Sequence, residues 1–177
     1  KGNRFVIKIL DTYTYVISGL PFLVLLLILY YVIFGDAAIP ASIVAIISFV
    51  IVFSIFVYEL FVSTISSIEK GQIEASYALG FTDSETFWKI LMPQSIIRMF
   101  PSYRGQIVSL LKDTSIVGYI TVFDLTRAGD IVRSRTYEAL FPILSIALIY
   151  FVLGIIFTII LTNIEHMLNP RKRKIES

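Results

Sequence analysis

Three stretches of this 177-residue chain carry no charged side chain, and each is long enough to cross a membrane as a helix. They run from Thr12 to Gly35, from Ala37 to Tyr58 and from Ala139 to Ile164. A helix needs about 20 residues to cross the roughly 30 Å hydrocarbon core of a bilayer. Hydrophobic residues make up 56% of the chain and charged residues 16%, which is unlike a soluble domain. We therefore predict an all-α fold, a polytopic helical membrane protein.

The uncharged stretches and one further apolar region predict a single transmembrane domain over residues 1–177. Its four spans have the approximate bounds 16–34, 41–62, 105–123 and 139–163. The span 105–123 is interrupted by Lys112 and Asp113, so hydropathy supports it less than the others. A long connector, residues 65–104, separates the second and third spans.

The basic residues predict which side of the membrane each connector faces. Four spans place both ends of the chain on one side, and both ends are basic through Lys1, Arg4, Lys8 and Arg171–Lys174. The 65–104 connector adds Lys70, Lys89, Arg98 and Arg104. Basic residues are enriched in short cytoplasmic connectors. We therefore expect both termini and the 65–104 connector in the cytoplasm, and the connector with Arg127, Arg133 and Arg135 on the opposite side.

The 65–104 connector contains signals for two short helices around a glycine. Ser66–Glu69 and Thr82–Glu85 each have the spacing of a capping box, and Gly71 is expected to mark a bend. We expect a helix through Glu74 to end at Gly80, a residue that tolerates the left-handed conformation of a helix stop. A second helix of two or three turns would follow, with Pro93 ending or bending it. The alternative interpretation is an ordinary structured loop.

The residue spacing in this connector resembles the EAA motif of permease subunits of ATP-binding-cassette importers. Glu74-Ala75-Ser76 is followed after three residues by Gly80, after nine more by Ile90, and then by Pro93. Ser76 and Met92 depart from that motif, which usually has alanine and leucine there. The segments "GQIEAS", "SGLPFLV" and "LMPQSIIRMFPSYRGQIVSLLKDTSIVGYITVFDLT" extend the resemblance over most of the chain, to the polar amino acid uptake branch.

The resemblance implies a type I importer permease that lacks its first transmembrane helix, because permeases of this branch commonly have five spans. The branch pattern has other residues at Ser18, Leu20, Leu25 and the pair Val62-Ser63. The location implied is a bacterial inner (plasma) membrane, with the C-terminus in the cytoplasm.

The resemblance further implies that the connector docks as a coupling helix on a separate cytoplasmic ATPase. The residues it assigns to coupling are Glu74, Ala75, Ser76, Leu79, Gly80 and Phe81. Glu74 is expected early in its helix, where a carboxylate favours the positive end of the helix dipole. The other partners implied are a second permease subunit, identical or homologous, an extracytoplasmic amino-acid-binding protein or domain, and membrane lipid. ATP and Mg²⁺ would be bound by the ATPase.

Five polar residues at or near membrane depth are candidates for the substrate pathway: Glu59, Lys112, Asp113, Thr114 and Ser115. An ionisable group at membrane depth is costly unless it faces protein or water. The alternative for Lys112–Ser115 is a salt bridge or hydrogen-bond cluster that packs helices. The alternative for Glu59 is a carboxylate near the membrane interface.

Several classes of chemistry have no sequence support in this chain. It contains no phosphate-binding loop and no hydrolase motif, so we predict no catalytic residues and no cofactor of its own. It contains no cysteine, and His166 is its only histidine, so no metal site is predicted. A net charge of +2 gives no indication of nucleic-acid binding. A gradient-driven secondary carrier and a structural membrane subunit remain as alternatives to the importer.

Overall fold

A computed structural model describes residues 4–168, and every regular element within them is helical. The α-helices are α1 Arg4–Ser18, α2 Phe22–Leu27, α3 Ala41–Ser66, α4 Lys70–Ala78, α5 Asp83–Glu85, α6 Met92–Asp113, α7 Leu125–Thr136 and α8 Leu140–Leu168. A π-helical turn, Ile28–Ile33, continues α2, another, Thr86–Leu91, joins α5 to α6, and a 3-10 helix, Thr114–Ile120, follows α6. The predicted all-α class is confirmed. Lys1 and Arg171–Lys174, which contributed to the predicted orientation, lie outside the described residues.

Two helices of the described chain are long and apolar enough to cross a membrane, Ala41–Ser66 and Leu140–Met167. Only 22% and 6% of their most apolar windows are buried within the chain. Large side chains such as Phe141, Leu148 and Phe151 are therefore exposed along α8. Exposed apolar surface of this extent is disfavoured in water and suits lipid or a second membrane subunit. The predicted span 41–62 lies within α3, and α8 contains nearly all of the predicted span 139–163.

The predicted span 16–34 is not one continuous helix. α1 ends at Ser18 and α2 begins at Phe22, and the two helices meet at an angle of 104°. Pro21 lies at the N-cap of α2, where its missing N–H costs least. The bent pair counts as a third candidate span only if both halves belong to one crossing.

The predicted span 105–123 divides between two elements. Residues 105–113 form the last part of α6, and the 3-10 helix then runs to Ile120. Thr121, with φ of 69°, ends that helix in the left-handed region. This region is absent from the long apolar helices of the described chain, so its membrane crossing stays a prediction.

Pro93 does not end the helix that contains it. α5, the π-helical turn and α6 follow one another without a gap, so the expected two or three turns become one helix from Asp83 to Asp113. Proline lacks an N–H, and its ring clashes with the carbonyl four residues earlier, here Lys89. A π-helical turn carries wider hydrogen bonds, and Met92 donates to Phe87 rather than to Trp88. This wider turn lets the helix continue past the proline.

The chain packs as two compact units, here called the first and the second unit. The first holds the described chain up to Phe56 together with Leu110–Val152. Its core has two clusters of buried side chains, namely Leu26, Ala45, Val117 and Ile120, and Leu25, Leu29 and Val44. The rings of Phe22 and Phe49 lie 4.6 Å apart and join α2 to α3.

The second unit holds Val57–Ser109 and the described residues from Leu153 onward, and it contains most of the predicted coupling connector. Phe61 at the end of α3 contacts Phe87 edge-on, with ring centroids 6.5 Å apart. Gln94 on α6 donates to Gln72 on α4 at 2.8 Å. These contacts hold α4 and the start of the 83–113 helix to the end of α3, so the connector is a folded part of this unit.

Candidate functional site

The turn after α4 is a complete glycine-stopped helix end. Gly80 has φ of 82°, which is unstrained only for glycine. The Gly80 N–H donates to the Tyr77 carbonyl at 2.9 Å, and the Phe81 N–H donates to the Ser76 carbonyl at 3.1 Å. These two bonds define a Schellman motif, which satisfies the last carbonyls of the helix. The predicted stop at Gly80 is therefore confirmed.

The helix that follows begins with the predicted capping box. The Thr82 side chain accepts from the Glu85 N–H at 3.3 Å, and the Glu85 carboxylate accepts from the Thr82 N–H at 3.1 Å. Glu85 also pairs with Lys89 at 2.8 Å. The Lys89 hydrogen bond and then the bonds from Thr82 lower the pKa of Glu85 to about 2. The Lys89 ammonium lies 5.5 Å from the Phe81 ring centroid, within cation–π range.

A buried pair of hydroxyls joins the two helices across the turn. Ser76 Oγ lies 2.8 Å from Thr86 Oγ1, and both residues are buried. Ser76 Oγ also donates to the Ile73 carbonyl at 2.7 Å, which uses its single proton. Thr86 must therefore be the donor to Ser76. An alanine, which the EAA motif usually has here, could not accept this bond.

We call residues 74–86 the elbow, and its outer surface is formed by most of the predicted coupling residues. Glu74, Ala75 and Gly80 are exposed, Leu79 is 77% exposed, and Phe81 is half-buried. Ser76 alone of the predicted set points inward. An exposed leucine beside a glycine turn gives the elbow an apolar tip.

Tyr77, before the glycine turn, interacts with Asp83, after it. The hydrogen bond between Tyr77 and the Asp83 carboxylate raises the pKa of Tyr77 above its usual 10.0. The Schellman motif, the capping box and the Ser76–Thr86 bond are three local constraints on the shape of the elbow.

Three local expectations for this connector are wrong. Ser66–Glu69 form no capping box, because α3 runs through Ser66 and α4 begins at Lys70 with no side-chain cap from Glu69. Gly71 lies inside α4 rather than at a bend. Glu74 is the fifth residue of α4 and lies outside its first turn, so it is not placed at the positive end of the helix dipole.

The pathway candidates fall in two places. Lys112 and Asp113 end α6, and Thr114 and Ser115 begin the 3-10 helix, all in the first unit. The Thr114 hydroxyl donates to the Leu111 carbonyl at 2.6 Å, while Ser115 lines a surface cleft. Glu59 is exposed on α3 within the second unit. The structure therefore groups the four consecutive residues and leaves their role in transport a prediction.

The second unit contains an ion pair that was not predicted from the sequence. Arg104 on α6 reaches α8, where its guanidinium lies 3.0 Å from Glu165 and donates to Thr162 at 2.8 Å. The Glu165 side chain is 4% exposed and that of Arg104 is 29% exposed. A glutamate beside His166 at the end of an apolar helix was the available signal, but its partner lies about 60 residues away, at Arg104. In the described residues no cluster of three metal-ligating side chains is found.

Comparison with known proteins identifies the family of the chain. Residues 1–170 match the family described as binding-protein-dependent transport system inner membrane component. A Rickettsia typhi (strain ATCC VR-144 / Wilmington) protein with the provisional name glutamine transport system permease protein GlnP is 33% identical over 155 residues. The match covers 86% of this chain and 71% of that protein. The L-cystine transport system permease protein TcyL of Bacillus subtilis (strain 168) is 29% identical over 99 residues, which are 56% of this chain and 41% of the relative.

A solved structure has the same fold. The match is the crystal structure of an amino acid ABC transporter with histidines, with a TM-score of 0.81 and 34% sequence identity. It covers 89% of this chain and 74% of that chain. Subunits of this family are permeases rather than enzymes, and ATP hydrolysis belongs to a partner ATPase. The chain is thus a member of the inner membrane components of binding-protein-dependent transport systems, the permease subunits of ABC transporters.

Proposed function

We propose that this chain is a permease subunit of an ATP-driven importer of amino acids. With a second permease subunit it forms the translocation pathway, which opens alternately to each side of the membrane. The names of the relatives support the substrate class, since they refer to glutamine and L-cystine transport. The related solved transporter, an amino acid ABC transporter, supports it as well. An extracytoplasmic binding protein or domain delivers the amino acid.

The elbow is the surface that binds the partner ATPase. The observation that carries this assignment is the exposed Leu79, which stands at a turn fixed by local hydrogen bonds. Burying an exposed leucine side chain in an interface favours association by about 1.5–3 kcal/mol, because its apolar surface leaves water. A short helix pair held in this way presents that side chain in one position. The connector then lies in the cytoplasm with the C-terminus, as the distribution of basic residues predicts.

The predicted coupling residues divide into two roles. Glu74, Ala75 and Leu79 are exposed and provide contacts to the ATPase, with the half-buried Phe81 beneath them. Ser76 and Gly80 determine the shape of the elbow, Ser76 through its bond to Thr86 and Gly80 through its positive φ.

The substrate crosses beside the polar residues of the first unit. Lys112, Asp113, Thr114 and Ser115 supply charges and hydroxyls for a zwitterionic substrate, and Glu59 is a further candidate on the second unit. An ionisable residue at membrane depth that does not face lipid is commonly part of a substrate or ion pathway.

A substitution at the tip tests the coupling assignment. Leu79→Ala removes the apolar contact but leaves the turn intact, so substrate-stimulated ATP hydrolysis and uptake should fall about tenfold in proteoliposomes holding the whole transporter. Ile96→Ala is the control, because Ile96 is also exposed in the second unit but lies outside the elbow.

Gly80→Pro should insert in the membrane yet impair binding of the ATPase, since proline cannot adopt a positive φ.

A normal rate of stimulated hydrolysis in both elbow variants would show that the elbow does not couple the subunits. Cross-linking gives an independent measurement, because the chain has no cysteine of its own. Leu79→Cys should form a cross-link to a cysteine introduced in the ATPase, whereas Ile96→Cys should not.

A further inference from the structure

A surface cleft of the first unit lies between the 3-10 helix and the start of α7. Its lining residues are Ser115, Gly118, Tyr119, Thr126, Arg127 and Asp130. Asp124 caps α7 by accepting from the Arg127 N–H at 2.9 Å. A Cβ at Gly118 would come within 3.0 Å of the same Asp124 oxygen, so glycine is what lets α7 begin this close to the 3-10 helix.

Two buried polar atoms beside this cleft have no hydrogen-bond partner within the described part of the chain. They are the Thr126 hydroxyl and the second carboxylate oxygen of Asp124. An unsatisfied buried polar atom costs about 1–3 kcal/mol, so native proteins rarely keep one without a reason. Thr126 also lines the cleft, so a polar group bound there is a candidate partner for its hydroxyl.

The cleft presents one positive and one negative side chain from the same face of α7. Arg127 and Asp130 are three residues apart, which places them side by side on a helix. The Arg127 guanidinium donates one bond, to the Gly118 carbonyl at 3.2 Å, and Asp130 pairs with Arg133 at 3.1 Å. A guanidinium has five N–H donors and a carboxylate has about four acceptor sites, so both keep capacity for a ligand.

We propose that this cleft binds the main-chain groups of a free α-amino acid before it enters the translocation pathway. Arg127 binds the carboxylate, Asp130 binds the ammonium group, and Thr126 supplies a hydroxyl. A zwitterion matches this pair better than a simple anion or cation, because each charge of the ligand meets the opposite charge. Ser115 joins the cleft to the Lys112–Ser115 cluster. The inference rests on the proposed function, since that function makes amino acids the substrate.

Protection of an introduced cysteine tests the cleft. Because the chain has no cysteine, Tyr119→Cys gives a single thiol in the cleft lining, at a position that is 65% exposed, in the reconstituted permease–ATPase complex. L-glutamine should slow its reaction with a charged methanethiosulfonate reagent. N-acetyl-L-glutamine lacks the ammonium group and L-glutamine methyl ester lacks the carboxylate, so neither should protect.

Variants on the Tyr119→Cys background identify the two charges. Arg127→Met and Asp130→Asn should each raise the L-glutamine concentration for half-protection about tenfold, as expected for the loss of a charged hydrogen bond. Arg135→Met, on the same helix but outside the cleft lining, should leave it unchanged. Arg127→Lys, which keeps the charge, should restore part of the protection and excludes a general loss of folding.

Uptake of labelled L-glutamine by the complete transporter in the same lipid separates the two proposals. If uptake is normal and L-glutamine gives no protection, or if the blocked analogues protect equally, the cleft assignment is wrong and the transport function stands. If protection follows the variants as expected and the transporter takes up no amino acid, the cleft assignment stands and the proposed function is wrong.

Discussion

The ion pair between Arg104 and Glu165 gives a sharp prediction for the stability of the second unit. Arg104→Met keeps most of the aliphatic side chain and removes the guanidinium. Glu165 then remains as a carboxylate that is 96% shielded from solvent, since its side chain is 4% exposed. Removing one member of a buried ion pair typically costs about 3–5 kcal/mol, because the remaining charge loses its counter-charge.

The structure places the expected cost at the lower end of that range. The Arg104 side chain is 29% exposed, so water can reach the space near Glu165. The lost bond to Thr162 adds little, because the Thr162 hydroxyl keeps its own bond to the Thr158 carbonyl at 2.7 Å. We expect Arg104→Met to lower the free energy of unfolding by about 3 kcal/mol. Arg104→Met with Glu165→Met should cost clearly less than Arg104→Met alone, because no charge is left buried.

Unfolding in mixed micelles of SDS and a mild detergent measures these differences. Trp88 is the only tryptophan in the chain and lies in the second unit, so its fluorescence reports on this unit. Arg98→Met is the matched control, because Arg98 is exposed on the same helix, and it should change stability by less than about 0.5 kcal/mol. If Arg104→Met is no worse than this control, or if the double variant equals the sum of the singles, the argument from a buried charge is refuted.

Three other predictions concern the elbow and the helix α4 that leads into it. Gly80→Ala should cost about 1–2 kcal/mol in unfolding free energy because of its positive φ, whereas Gly71→Ala, inside α4 with free space around it, should stabilise by about 0.5–1 kcal/mol. Ser76→Ala should cost about 1–3 kcal/mol in unfolding free energy, because it leaves the Thr86 hydroxyl unsatisfied. Adding Thr86→Val to the Ser76→Ala variant should recover most of that loss, because it removes the unsatisfied hydroxyl. Glu85, with its pKa lowered to about 2, should stabilise the elbow above pH 4.5 and lose that effect as the pH falls from 4.5 to 2; Glu85→Gln should abolish this part of a pH–stability curve.

Local signals predicted the elbow well because its geometry depends on neighbouring residues. The capping box at Thr82 and the stop at Gly80 each involve bonds within six residues. The same reasoning failed at Ser66. There the hydroxyl donates back to the Val62 carbonyl at 2.8 Å, an interaction that competes with capping when the preceding apolar helix continues. The Ser66–Glu69 pattern alone did not show how far the helix would extend.

Contacts between distant residues were beyond the sequence patterns. Nothing near Arg104 indicates a partner 61 residues away, and the Ser76–Thr86 bond depends on how two helices fold together. α7 was also missed, although Asp124 before an amphipathic segment is a helix-start signal that would have indicated it. The elbow itself could thus be predicted, but which of its residues are exposed and which determine the shape of the turn needed the three-dimensional structure.

The local bonds of the elbow have a consequence for how such a transporter turns over. A segment that is already ordered loses little conformational entropy when it associates, so its affinity for a fixed groove is constant. In the proposed transporter, any tightening or loosening of this joint during a cycle would have to originate in the groove of the ATPase. The elbow of the permease would then keep one shape throughout the cycle, while the groove of the ATPase changes its shape with the bound nucleotide.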